Sequence, residues 1–135
     1  MSVPDEPPRQ FIARRKVAPR VAQDEEGKTK SREAFVLRIV SRETEIILEL
    51  SGELDMASRS LLRNEVDAAL DSEVRRVILD LSELKFIDSS GIKTLYNAWE
   101  RSREVPNRLT IRGAQGLVKK VLTFAGLDSV ILGDS

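Results

Sequence analysis

A short apolar strand between two amphipathic helices constrains the fold of this chain more than any other sequence feature. The segment Val77–Leu81 is rich in aliphatic residues, as is typical of a strand covered on both faces. Apolar residues recur with helical spacing on either side of it: Leu61, Leu62, Val66, Ala69 and Leu70 before it, and Ile92, Leu95, Tyr96 and Trp99 after it. Because helices that alternate with strands pack on a mainly parallel sheet, this pattern predicts an α/β layer fold.

Four more strands and a third helix complete the predicted pattern. Two half-buried strands, joined by the polar turn Ser41–Thr44, are indicated by the alternating residues Phe35, Leu37 and Ile39 and then Ile46, Leu48 and Leu50. Pro106–Asn107 predicts a turn before a strand at Leu109 and Ile111. A third helix contains Leu117, Val118, Val121, Leu122 and Ala125, and Gly126 is its expected stop. A last strand at Val130–Leu132 gives the order β-β-α-β-α-β-α-β, with helices covering a mainly parallel sheet and a loop at Ser82–Asp88.

Residues 1–33 differ in composition from the rest of the chain. They hold four of the five prolines, the basic run Arg14–Lys16 and the acidic run Asp24–Glu26, without a sustained apolar period. Such a segment buries too little apolar surface to offset the entropy lost on ordering. The sequence therefore predicts a disordered N-terminal tail over residues 1–33 and one domain over residues 34–135.

Composition excludes several classes of function. The 135 residues include no His and no Cys, so catalysis by imidazole or thiolate and zinc–sulfur sites are excluded. Lys plus Arg and Asp plus Glu both number 22, a balance that predicts no nucleic-acid partner. No apolar run reaches the length of a membrane span, so we expect a cytoplasmic protein without stable membrane insertion. We also expect no metal, no cofactor and no enzymatic activity, because no recognisable catalytic or phosphate-cradling motif is present.

The segment Phe86–Ile92 is the most informative for function. It follows the buried strand at the sheet edge where α/β proteins meet ligands and partners. Asp88, Ser89 and Ser90 then stand at the start of a helix, where Asp and Ser cap free backbone N–H groups and where negative charge is favoured. A serine at this position can accept a phosphate without disrupting the helix, and the added charge would disturb whatever docks there.

Simpler interpretations exist for these and neighbouring residues. The Asp-Ser-Ser-Gly segment could act only as a helix cap with a flexible glycine. Tyr96 and Trp99 lie on the helical stripe, which favours core packing over an aromatic binding site. A phosphoaspartate at Asp80, as in receiver domains, is rejected because the acidic pair and the lysine that such a site needs are not evident.

Four segments in order carry a resemblance to a known family. These segments are Gly52–Asp55, Val77–Leu81, Phe86–Gly91 and Val118–Leu127. Over residues 34–132 they resemble the STAS domain of anti-sigma-factor antagonists. The resemblance implies an anti-sigma factor partner that is a serine kinase, supplies the ATP and binds the unphosphorylated form, together with a phosphatase that resets the switch.

The resemblance also implies roles for individual residues. It makes Ser89 the phosphoacceptor, with Ser90 as second choice. Asp88 would orient the loop, Ser90 would cap the helix, and Gly91 would permit close backbone approach. A partner-binding surface would comprise these four residues together with Gly52, Glu53, Asp55, Ile92 and Lys93. Lys93 stands where many family members have a small residue. This difference would alter the choice of partner or attract the phosphate.

Two functions therefore compete. The first is an anti-sigma factor antagonist that binds an anti-sigma factor kinase and releases a sigma factor while it is unphosphorylated. The alternative is a STAS scaffold or accessory subunit of a membrane transporter or lipid-transfer ATPase, in which the serine pair would be structural or would only contact the partner.

Overall fold

The computed structural model describes residues 10–17, 22–23, 29–30, 34–106 and 108–127. The elements in this part of the chain are β1 (Gln10–Val17), β2 (Ala22–Gln23), β3 (Thr29–Lys30), β4 (Phe35–Ser41), β5 (Glu45–Leu54), α1 (Arg59–Asp71), β6 (Arg76–Ile87), α2 (Ser89–Ser102), β7 (Leu109–Arg112) and α3 (Gly116–Phe124). The strand predicted at Val130–Leu132 lies outside the described residues. None of the described helices is long and apolar enough to cross a membrane.

The main sheet is mixed rather than mainly parallel. Its strand order is β1-β4-β5-β6-β7. The pairs β5–β6 and β6–β7 are parallel, as expected for strands joined through a helix, whereas β1–β4 and β4–β5 are antiparallel. The prediction of a mainly parallel sheet is wrong on this point because a tight turn, closed by the Arg42 N–H donating to the Glu45 carbonyl at 2.8 Å, can only join antiparallel strands. The predicted α/β class is confirmed.

Part of the predicted disordered tail forms strand β1 in the structure. Residues Gln10–Val17 pair antiparallel with β4 and extend the sheet at its edge. The exposed Arg15 side chain also reaches α1, where its Nε lies 3.2 Å from Glu65 Oε1. Main-chain pairing on an existing edge orders a segment without requiring an apolar pattern in its sequence. The prediction of disorder therefore fails for these eight residues.

Strands β5 and β6 extend beyond their predicted ends. Gly52 and Leu54 still belong to β5, and the predicted loop from Ser82 is strand as far as Ile87. Register shifts near Gly52 let the two strands stay paired up to Leu54 opposite Ile87. A bulge of this kind bends a strand without ending it. Both strands consequently end side by side at the same sheet edge.

The core lies between one face of the sheet and the helices. Buried side chains of all three helices pack against the sheet in one apolar cluster, to which α1 contributes Leu62 and Val66, α2 contributes Leu95 and α3 contributes Leu122. The predicted burial of Val77–Leu79 is confirmed. Tyr96 does not pack in the core as predicted, since its side chain is 44% exposed. The buried face of α2 is centred on Leu95 and Ala98, so of the two aromatic residues it is Trp99 that packs partly against the core.

Gly126 ends α3 as predicted. Its φ is +82°, and the following Leu127 N–H donates to the Leu122 carbonyl at 3.0 Å. This bond is the main-chain closure that a left-handed residue after a helix allows. Leu127 is itself buried, so the closure turns the chain back onto the core.

The glycine beside the β5–β6 register shifts yields a stability prediction. Gly52 has φ +84°, and a Cβ at this position would overlap the carbonyl oxygen of Ala34. We expect Gly52→Ala to lower the free energy of unfolding by about 3 kcal/mol, because left-handed strain of about 1–2 kcal/mol adds to this overlap. Gly116→Ala is the matched control, since Gly116 also has positive φ (+54°) but open space around it. Urea denaturation of both variants measures the difference, and equal losses would contradict the role assigned to Gly52.

Candidate functional site

Asp88 caps α2 where β6 ends. Its backbone is extended, with φ −102° and ψ −176°, so the chain leaves the strand and enters the helix at this one residue. The Asp88 Oδ1 accepts the Gly91 N–H at 3.0 Å and the Ser90 hydroxyl at 2.7 Å. This geometry makes Asp88 the helix N-cap. The expectation that Ser90 caps the helix is wrong, because its hydroxyl donates to the Asp88 carboxylate and Asp88 itself accepts the helix N–H.

The surroundings of Asp88 favour its ionised form. Burial alone would raise the pKa of this carboxyl group, but hydrogen bonds from the Ser90 hydroxyl and from the backbone N–H groups of Gly91, Ser90 and Met56 outweigh it, and the net pKa is lowered. Hydrogen bonds that donate to a carboxylate stabilise its charged form. The cap is therefore a fixed negative charge beside the serine pair at neutral pH.

The two serines at the helix start are in different environments. Ser89 is exposed at the first position of α2, and its hydroxyl has no hydrogen-bond partner in the described part of the chain. Ser90 is half-buried and donates its hydroxyl hydrogen to Asp88. An incoming phosphoryl donor would meet a free hydroxyl at Ser89 and an occupied one at Ser90.

The loop between β5 and α1 is held by a second carboxylate. Asp55 Oδ1 accepts the Ala57 N–H at 2.9 Å and the Ser58 N–H at 3.3 Å. The Ser58 hydroxyl accepts the Asp55 N–H at 3.0 Å and donates to the Glu53 carbonyl at 3.1 Å. Asp55 is 8% exposed and Ser58 is 1% exposed, so both residues build the turn from inside.

The residues of the predicted partner surface at this loop are largely covered. Gly52 and Asp55 are buried and Glu53 is half-buried, and their contact with a partner stays a prediction. The exposed residues of the turn are Met56, which is 58% exposed, and Ala57. Sequence reasoning missed Met56 and Ser58. A serine directly before an amphipathic helix is a recognised start pattern that could have revealed Ser58.

A main-chain bond joins the two loops into one surface. The Asp88 N–H donates to the Leu54 carbonyl at 3.1 Å. The loop that follows Leu54, which includes Met56, therefore begins beside the start of α2. The sequence-based expectation that the residues after β5 and after β6 share one edge of the sheet is confirmed by this contact.

Gly91 allows the start of α2 to lie this close to the ends of β5 and β6. A Cβ at this position would lie 2.8 Å from Ile87 Cγ1 and 2.9 Å from the Leu54 carbonyl oxygen, which is too close for any side chain. Ile92 is half-buried against the core, whereas Lys93 is exposed. Of the predicted surface residues on α2, Ser89 and Lys93 are thus the exposed ones. No cluster of acidic side chains suited to a metal ion occurs among the described residues.

The fold and the site together define a class: an α/β domain that presents a free serine at a helix N-terminus on the carboxyl edge of a mixed sheet. The family described as "Mlab, STAS domain" matches residues 37–133. The chain belongs to the STAS domain family, which confirms the resemblance found in the sequence.

Comparisons with individual proteins show which STAS proteins the chain resembles. An anti-sigma F factor antagonist of Lysinibacillus sphaericus is 32% identical over 94 residues, which are 69% of this chain and 80% of that protein. The structure of the anti-sigma factor antagonist SpoIIAA in its unphosphorylated form has a TM-score of 0.60 at 28% identity, with 72% of this chain and 84% of that chain covered. The Bacillus cell fate determinant SpoIIAA in its phosphorylated form has a TM-score of 0.57 at 26% identity, with 72% and 87% covered. The chain is therefore similar to a protein whose structure is known in both phosphorylation states.

The Asp88 cap yields a prediction about stability and pH. We expect Asp88→Ala to lower the free energy of unfolding by about 1 kcal/mol at neutral pH, the usual cost of losing an N-cap. Because the folded pKa of Asp88 lies below its unfolded value, the stability it contributes is present above the unfolded pKa and is lost as pH falls through the folded pKa. The difference between wild type and Asp88→Ala, measured by urea denaturation, should therefore shrink as pH falls from about 7 to about 3.

The matched variant is Asp88→Asn, which keeps an oxygen that can accept the Gly91 N–H but cannot ionise. We expect it to cost only a few tenths of a kcal/mol at neutral pH, since Asn caps helices about as well as Asp. A wild type and an Asp88→Asn variant whose stabilities change in parallel with pH would show that the Asp88 carboxylate is not the titrating cap described here.

Proposed function

We propose that this protein is an anti-sigma factor antagonist whose binding to an anti-sigma factor is controlled by phosphorylation of Ser89. The observation that carries the proposal is the free, exposed Ser89 hydroxyl at the start of α2, beside an Asp88 cap that holds the loop in place. Membership of the STAS family and likeness to named anti-sigma factor antagonists support the same function. We propose further that the protein acts in the cytoplasm.

The position of Ser89 suits a switch that leaves the fold intact. Ser89 is the first residue of α2, where the free N–H groups and the helix dipole favour negative charge. A phosphate adds about −1.5 to −2 charge at neutral pH. On Ser89 this charge would project into solvent, so its main effect would fall on a partner docked at the same edge. Ser90 is less suited, because phosphorylating it would break its bond to Asp88 and place two negative groups side by side.

The surface around Ser89 suits protein docking. Met56 contributes an exposed apolar side chain, Ala57 a small one and Lys93 a positive charge. Apolar contacts of this kind provide affinity, while charges at the rim set partner choice. In the proposed cycle the anti-sigma factor kinase docks here, is drawn away from its sigma factor, and transfers phosphate from its own ATP to the Ser89 oxygen. A phosphatase then restores the free serine.

Charge at Ser89 should control binding to the kinase. We expect Ser89→Asp to bind a candidate anti-sigma factor kinase from the same cell at least about tenfold more weakly than wild type, because a buried interfacial charge without a partner is strongly unfavourable. Ser89→Ala should keep binding but should not accept phosphate. Isothermal titration calorimetry measures the affinities, and incubation of each variant with the kinase and ATP measures phosphate transfer.

The matched control for added charge is Asn64→Asp, which places the same new carboxylate on an exposed position of α1. It should bind the kinase like wild type. Equal affinities of wild type and Ser89→Asp would contradict the proposal. Recovery of a transporter ATPase in a pulldown, with no sigma-related kinase, would instead favour the function of scaffold or accessory subunit.

A further inference from the structure

Helices α1 and α2 leave an open groove between them, which reaches the serine loop at Ser90. Its volume is about 410 Å³. The floor is apolar, formed by the buried side chains of Val66 and Ala98. The walls are polar and contain more basic than acidic side chains. The groove is therefore neither a plain hydrophobic pocket nor a purely electrostatic surface.

Three cations on the walls of the groove have no counter-ion among the residues that the structure describes. Arg59 and Arg63 from α1 and Lys93 from α2 are exposed and form no ion pair with any described residue. The acidic residue of the lining, Asp67, is already paired with Arg101 at 2.5 Å. Unpaired cations that converge on one concavity create a positive potential that attracts and orients anionic ligands.

An ion-pair bridge crosses the groove at one end. Arg101 bridges α2 to both Asp67 and Asp71 of α1, which ties the two helices together at the far end. Arg59 and Ser89 are the first residues of α1 and α2, and both helices begin at the sheet edge that carries the serine loop. The positive end of the groove is therefore the end nearest Ser89. From Arg59 to Asp67 a helix rises about 12 Å, which matches three to four residues of extended chain.

We propose that this groove binds a short acidic segment of a partner protein, with carboxylates on Arg59, Arg63 and Lys93 and one apolar side chain on the floor formed by Val66 and Ala98. A segment of this kind matches the charge, the apolar floor and the length of the groove together. A folded acidic surface would match the charge alone.

The groove also connects to the switch, and this step alone rests on the proposed function. Ser89 and Lys93 are four residues apart on α2, a spacing that brings side chains together on one face of a helix. A phosphate on Ser89 is thus within reach of the Lys93 ammonium and competes with the acidic segment for it. Phosphorylation would then weaken docking both by repelling the segment and by neutralising one of its three cations.

The test uses the full-length unphosphorylated protein without any kinase, so its outcome is independent of whether Ser89 is phosphorylated in the cell. The probe is the capped pentapeptide Glu-Glu-Leu-Glu-Glu, titrated at low salt and followed by backbone amide NMR shifts. We expect shifts at Ser60, Thr94 and Asn97, which line the groove. The double variant Arg59→Gln/Arg63→Gln should bind the peptide about tenfold more weakly, as expected for two lost charge contacts. Ser89→Asp should also weaken it.

The matched control is Arg75→Gln, which removes an exposed arginine at the opposite edge of the sheet and should leave peptide affinity unchanged. The peptide Lys-Lys-Leu-Lys-Lys should not bind. Equal weakening by Arg75→Gln and by the double variant would overturn the proposal, because binding would then depend on net charge alone. Tighter binding of ATP or of a short oligonucleotide than of the acidic peptide, or absence of shifts along the groove, would overturn it as well.

Discussion

The parallel pairing of β5 with β6 runs from Glu45 opposite Arg76 to Leu54 opposite Ile87, and the Asp88 N–H extends it by one more bond to the Leu54 carbonyl. The rest of the site depends on this pairing. It ends both strands at one sheet edge, so α1 and α2 begin side by side. Gly52 lets β5 pass close to the Ala34 carbonyl, and Gly91 lets α2 start against Ile87 and Leu54 at the two strand ends. A larger side chain at Gly91 would separate the two loops.

Two buried or half-buried carboxylates stabilise this edge. Asp55 closes the β5–α1 turn and Asp88 caps α2. Their hydrogen bonds fix the backbone around Met56 and Ser89, which are exposed. A rigid frame that presents the exposed Ser89 hydroxyl would suit the proposed control by phosphorylation, because the added charge would change the surface while the cap and the core stay in place. Arg59, Arg63 and Lys93, which pair with no described residue, extend the same surface between α1 and α2.

The sequence predicted the α/β class, all three helices and the position of Ser89 and Ser90 at a helix start, because apolar periodicity reflects burial and helix-start residues reflect capping. It failed where order comes from main-chain contacts. The pairing of Gln10–Val17 leaves no apolar pattern, and the polar residues Ser82 and Glu83 conceal the length of β6. The burial of Asp55 depends on Ser58 folding back onto it, and the exposure of Tyr96 depends on which side of α2 meets the sheet. Neither the burial of Asp55 nor the exposure of Tyr96 follows from the spacing of residues along the sequence.

The central claim is that Ser89 carries a regulated phosphate, and tandem mass spectrometry of the protein purified from its native cell, with and without stress, tests it most directly. The account predicts one phosphate localised to Ser89, with an occupancy that changes between conditions. A phosphate on Ser90 would contradict the assignment of the free hydroxyl as the acceptor while leaving a switch at this edge. An unmodified Ser89–Ser90 pair in every condition, with a candidate kinase present, would contradict the switch itself.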